Sequence, residues 1–502
     1  MMKDSTSAML SVQKVSNIYF VVFLLATAIS VWQESMLAAL LSLTFLITAI
    51  GLRLHAHLSK VRASAETLTV FVKPLGLALL ILTVYQTLSL APAVFEWPVL
   101  EHPLPPDALE KTITLFLFGV SLFWVGFFLN FGEVLANALA SQVRLEHQMN
   151  HQAVIRVAKQ GLLIGLILYV TTVVIAGYSS PLAALLDMNE FRRKALSLGV
   201  TSATAVLMFL CFAVPKAMLL MQLADKKQTF SIAEKWFWFL FVATEVAVSF
   251  TFGIRGVFVS TIILLGVAWY HRHRQLSLSA MVLGGVAAVA VVTILGTLRD
   301  YLSLSEAEKA ALDAFRNKLD ESSWMLVITT PLKRLDALQR FGEIVEGFSS
   351  QFSDEHLLWG KGIAGDLLLY VPRTLLPFEK PYSTAYYFME MFYPSALGIF
   401  SFELSLFGEA FLNFGVWGMM VSAVLSGVAI RTLNELFSEE RLQTSEGIRF
   451  WYFWLFLLPF NLFNQGLFAA AMPLLLNVAA GGVALYLVQR FRALAPSQPL
   501  AS

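Results

Sequence analysis

The chain has 502 residues, of which 57% are hydrophobic, 13% aromatic and only 14% charged, with mean hydropathy +0.70 and formal net charge +1. Soluble domains carry about 25% charged residues, so the composition excludes a globular cytosolic enzyme and indicates a polytopic membrane protein; no nucleic-acid partner is expected. The lone cysteine, Cys211, excludes an internal disulfide.

Apolar stretches of about 17–25 residues suit helices crossing a hydrocarbon core. About twelve are expected, near 17–33, 36–53, 71–91, 112–132, 161–178, 197–221, 236–254, 256–270, 277–298, 404–430, 450–470 and 472–489. The first has no good cleavage site at its Trp32-Gln33-Glu34 exit and is read as a retained span. Ala91 to Glu110 reads as a proline-rich, acidic loop, and Gln142 to Lys159 as a polar interfacial helix. The fold class is therefore an all-α polytopic membrane protein. Residues 1–298 hold helices 1–9, 299–396 form a long extracytoplasmic loop containing short helices, and 397–502 hold helices 10–12.

Orientation follows from lysine and arginine in the short connections. One alternating set carries nearly all of them, whereas the other carries only Lys111, Arg192, Arg193, Lys194 and Arg255. Both termini are thus expected in the cytoplasm and the long segment outside. The Arg192-Arg193-Lys194 cluster is the exception, either a basic patch or a sign of different threading through 161–221.

Within the long segment, Ser305-Glu306-Ala307-Glu308 forms a capping box before a helix to about Leu319. A second helix is expected after Thr330, with Pro331 at its first position. Its apolar face holds Leu335, Leu338, Phe341 and Val345; Lys333, Asp336, Gln339, Arg340 and Glu343 fall on the solvated face. Arg334 lies amid the apolar positions, where it must snorkel, pair with an acid or meet an anion. Then come His356, an apolar run from Asp366 too short to span, and Val371-Pro372-Arg373 to Phe378-Glu379-Lys380-Pro381, whose prolines stiffen the backbone around two cations. Tyr382, Tyr386, Tyr387, Phe388, Phe392 and Tyr393 suit the water–lipid boundary or stacking on sugar rings.

Glu409 and Asn413 lie four apart on one helix face at the start of a span, where a carboxylate is either functional or a partner in helix packing. Glu245 and Lys216 are intramembrane and can satisfy each other. Arg255 lies between glycines, and Asn461, Asn464 and Gln465 give the penultimate span a polar patch. No metal-binding arrangement, nucleotide-binding loop or repeat is visible, so neither metal nor cofactor is expected.

Gly253-x-Arg255-Gly256, Pro372-Arg373-x-Leu375-x-Pro377-x-x-Lys380-Pro381 and Gly408-Glu409-Ala410-x-x-Asn413-Phe414-Gly415-x-x-Gly418, with the long segment between them, resemble the oligosaccharide repeat-unit polymerases of the Wzy type. The resemblance covers about 250–430; Leu376 stands where the family commonly has tryptophan. It implies a GT-C-like, metal-independent inverting glycosyltransferase of the bacterial inner membrane. Its substrates would be oligosaccharides on undecaprenyl pyrophosphate, with the bilayer and a chain-length regulator protein as further partners. Arg255, Arg334, Arg373 and Lys380, with Arg340, would hold pyrophosphate; Glu409, then His356, would be the base, with Asn413 and Asn464 in support. The alternatives are an O-antigen ligase and a lipid-linked oligosaccharide flippase; the latter usually shows internal repeats, which this chain lacks.

Overall fold

The computed structural model describes residues 15–24, 36–58, 73–85, 104–142, 151–187, 190–191, 194, 199–252, 256–273, 337–368, 376–394 and 404–493. Every regular element among them is helical. They are α1 (Val15–Leu24), α2 (Met36–Leu58), α3 (Pro74–Leu79), continued by a π-helical turn over Leu80–Tyr85, α4 (Pro106–Phe128), α5 (Phe131–Gln142) and α6 (His151–Ile175). There follow α7 (Pro181–Leu186), α8 (Gly199–Ala224), α9 (Ile232–Thr251), α10 (Gly256–His273) and α11 (Ala337–Ser350). The remainder are α12 (Lys361–Leu367), α13 (Thr384–Phe392), α14 (Ser405–Leu436), α15 (Glu439–Thr444), α16 (Glu446–Leu455), α17 (Leu458–Gln465) and α18 (Leu467–Ala493).

Five of the described helices are long and apolar enough to cross a membrane: α4, α6, α14, the Leu207–Ala224 part of α8 and the Leu467–Val488 part of α18. The span expected at 277–298, the capping-box helix at 305–319 and Leu335 lie outside the described residues.

Several expected boundaries move. Helix α4 begins six residues before the expected 112, taking in the end of the stretch read as loop. Pro106 occupies its first turn, where a missing N–H costs nothing, and Asp107 faces the positive helix end. His151–Lys159 is not a separate interfacial helix but the first turns of α6. His151 is held there by Gln222 at 3.0 Å and Glu234 at 2.8 Å. The expected span at 450–470 is also corrected: it is two short helices, α16 and α17, and a break at Gly466 where α18 starts. Gly466 has φ 112° and ψ 167°, a conformation that side chains with a Cβ avoid.

The core is built on α4 against α14. Gly126 lies against the Val424 carbonyl and Gly427 against the Phe123 carbonyl, so the two backbones touch where any Cβ would collide. In lipid, dispersion across such small-residue contacts replaces the hydrophobic drive for helix association. Phe407 of α14 meets Phe116 of α4 edge to face at 5.6 Å. Helix α11 lays Leu338, Phe341, Ile344 and Val345 on this pair, all at most 1% exposed, in agreement with the periodicity of its apolar face.

A second group joins α8 to α6, α10 and α16. Lys216 and Glu245 do satisfy each other, at 2.6 Å between buried side chains, with Thr261 also accepting from Lys216 at 3.3 Å. Removing one partner of such a pair would leave a desolvated charge uncompensated.

Gly126→Ala and Gly427→Ala should each destabilise the protein by about 1–3 kcal/mol, as overpacking does. Gly266→Ala, with nothing within 4 Å of the added carbon, should be neutral or stabilising by up to about 1 kcal/mol. Thermal unfolding in detergent micelles reads all three; equal effects would rule out close approach as the reason for Gly126 and Gly427.

Candidate functional site

Helix α14 is two helices joined at a kink. Phe414 leaves helical backbone space and Gly415 takes a positive φ of 64°. Such a break frees carbonyls that the next turn would otherwise satisfy. The segment after α11 fills them. Leu358 N–H donates to the Leu412 carbonyl at 3.1 Å and Trp359 N–H to the Asn413 carbonyl at 2.9 Å. Trp359 is held at φ 48°, with its side chain 65% exposed. Broken backbone of this kind persists at membrane depth only where protein supplies the partners.

Glu409 sits one turn before the break and is 1% exposed. Its carboxylate accepts from Phe468 N–H at 3.1 Å and Ala469 N–H at 2.7 Å, in the first turn of α18. Oriented N–H groups and the positive end of the helix dipole thus stabilise its charge. Gly466 makes the approach possible, since a Cβ there would fall on the Glu409 carboxylate.

Asn413 is fully buried. Its amide donates to the Glu409 carbonyl at 2.9 Å and to Thr384 Oγ1 at 3.2 Å. Thr384, the first residue of α13, in turn donates from its hydroxyl to Asp366 Oδ2 on α12 at 2.6 Å, and from its N–H at 3.3 Å. Among the described residues, Asn413 Oδ1 is a buried acceptor with no hydrogen-bond partner, an arrangement that costs about 1–3 kcal/mol. Burial pushes the Asp366 carboxyl above its usual range, and the Thr384 hydroxyl and amide oppose that shift. A polar chain therefore runs from the broken span to the 337–394 region.

The sequence-predicted residues divide. Glu409 and Asn413 are brought together, and Asn464 is buried on α17, which packs on both α14 and α18. His356 is set apart on an exposed 3₁₀ turn, where its Nδ1 accepts from Ser353 N–H at 3.3 Å. Lys380 is half-buried in the extended approach to α13. Arg255, Arg334 and Arg373 lie outside the described residues, as do Arg192 and Arg193. Lys194 of that cluster is 3.6 Å from Glu190 and lies over the Tyr178 ring.

Arg340 corrects the helical wheel. It is not solvated: its guanidinium is 2.9 Å from Glu343, donates to the Tyr393 hydroxyl and stacks over that ring at 5.0 Å. Burial pushes the Tyr393 phenol up, Glu343 adds to the shift and Arg340 opposes it. The wheel assigns α11 one buried face, but Tyr393 beyond α13 covers a second.

Sequence reasoning missed Asp366 and Thr384 as site residues. The first left a signal, a lone acid opening the apolar run Leu367-Leu368-Leu369; the second left none. Among the described residues no group of three or more His, Cys, Asp or Glu side chains is placed to hold a metal. No protein-family model, curated protein or solved structure matches this chain.

The raised Asp366 value fixes a sign. With the folded-state value above the unfolded one, the carboxyl favours folding below the unfolded value, and the advantage is lost as pH rises through the folded value. Asp366→Asn mimics the protonated form. Its melting temperature relative to the wild type should therefore climb as pH rises above the ordinary aspartate range; a difference that stays flat would contradict the assignment. Gly466→Ala should cost at least as much as Glu409→Ala, about 1–2 kcal/mol for a lost helix cap, in the same melts.

Proposed function

We propose that the chain is a membrane-embedded glycosyltransferase that joins oligosaccharide repeat units carried on undecaprenyl pyrophosphate, as the Wzy-type polymerases do. The observation that carries this reading is that the Gly408-to-Gly418 motif coincides with a break in a span, buried carboxylates and an unsatisfied amide acceptor. Attack of a sugar hydroxyl on a lipid-linked anomeric carbon requires cations for the departing pyrophosphate and a base for the hydroxyl proton. Arg255, Arg334, Arg373 and Lys380 supply the cations, since guanidinium groups stay protonated and bind phosphate bidentately.

For the base, Glu409 carries a cost: both its oxygens already accept backbone N–H groups, which suits a positioning role. Asp366, joined to Asn413 through the Thr384 hydroxyl and made more basic by burial, is the better acceptor. His356, exposed on the neighbouring turn, is the second candidate.

The breaks in α14 and before α18 favour a second reading. Discontinuous helices whose half-helix ends face a polar site are also a device of secondary transporters. A lipid-linked oligosaccharide flippase would use the same cations to hold pyrophosphate without breaking a bond.

Reconstituted protein supplied with lipid-linked repeat units separates the two. A polymerase yields a ladder of chain lengths, whereas movement of unpolymerised lipid between leaflets identifies a flippase. Arg373→Ala and Arg255→Ala should each reduce ladder formation on the order of 10²–10³-fold, leaving the single-repeat product. Normal long chains from both variants would remove the pyrophosphate assignment.

A further inference from the structure

A cavity of about 360 Å³ lies between the ends of α8 and α10 and the start of α16, remote in sequence from the Glu409 network. Lys226, Lys227, His271, Gln443, Arg449 and Tyr452 are its polar lining, along with Asp225. Three basic side chains thus share the lining with one carboxylate, and that carboxylate is engaged: Asp225 Oδ2 is 3.4 Å from Arg449, and its Oδ1 accepts from Lys227 N–H at 2.9 Å.

Both rims are held by hydrogen bonds to backbone. Arg272 donates to the Leu223 carbonyl at 3.3 Å and the Gln228 carbonyl at 3.0 Å, fastening the turn that presents Lys226 and Lys227. Arg449 donates from Nε to the Leu442 carbonyl at 3.0 Å, fastening the opposite rim. The His271 Nε2 lies 3.2 Å from the Tyr452 hydroxyl at the back. An anion entering here meets the exposed Lys226 and Lys227 side chains on a turn whose backbone is already held.

Depth narrows the ligand. The apolar Leu207–Ala224 segment ends at the cavity, and the next residues turn back into α9 at Ile232. Trp236 near the start of α9 and Trp269 near the end of α10 are 62% and 58% exposed, the placement of tryptophan at a membrane–water boundary. A basic pocket between spans at that level meets phosphate groups of lipids.

We propose that this cavity binds a phosphate oxyanion presented at the membrane surface, with Lys226 and Lys227 as its principal ligands. A lipid headgroup and free phosphate share that chemistry, and one experiment distinguishes them. Thermal unfolding of the purified full chain in detergent would be followed against rising phosphatidylglycerol, phosphatidylcholine and inorganic phosphate. The variants are Lys226→Ala/Lys227→Ala and Lys159→Ala/Lys235→Ala, the latter pair removing the same charge from exposed residues that do not line the cavity.

Phosphatidylglycerol should protect the wild type and the control, with the Lys226/Lys227 variant needing about tenfold more lipid or worse. Phosphatidylcholine should protect weakly and equally in all three. Protection by inorganic phosphate, lost in the same variant, would support the oxyanion site and assign its source to a soluble ion. Equal protection of all three proteins by phosphatidylglycerol would overturn the proposal.

Discussion

The Glu409 carboxylate against the first turn of α18 is the constraint on which this end of the molecule depends. A carboxylate removed from water needs donors, and here two backbone N–H groups and a helix dipole provide them. The arrangement demands a residue without Cβ at 466 and a helix that starts at 467, so the break before α18 and the burial of Glu409 are one feature. It fixes the first half of α14 to α18.

That half-helix also organises the region before it. The break at Phe414–Gly415 exposes carbonyls, the Leu358–Trp359 backbone occupies them, and Asn413 reaches Thr384 and through it Asp366. The described parts of the 337–394 region join this network. Its helices α11, α12 and α13 are packed and hydrogen-bonded onto the same spans that carry Glu409. Strain at Trp359 and the unsatisfied Asn413 oxygen fall where these elements meet, the kind of place where proteins retain local cost for function.

Charge is distributed in two ways elsewhere. Inside the helix packing, cations are paired, as with Lys216 and Glu245 or Arg340 and Glu343. At the helix ends they fasten turns and leave lysines around a cavity, as Arg272 and Arg449 do. The first pattern satisfies desolvated charge; the second gathers positive charge around the cavity proposed to receive a phosphate oxyanion.

Sequence alone determined the all-helical membrane character, the apolar face of α11 through Leu338, Phe341 and Val345, and the shared face of Glu409 and Asn413. These rest on hydropathy and on a 3.6-residue period, which are sums over neighbours in the chain. Tertiary structure alone decided that 450–470 is broken rather than one span, because hydropathy measures transfer into lipid and is blind to φ at Gly466. It also decided that Arg340 is covered by Tyr393 rather than solvated, and that Asp366 and Thr384 join the Asn413–Glu409 pair. Each of those depends on groups tens of residues apart meeting within hydrogen-bonding distance, and nothing local in the chain encodes such a meeting.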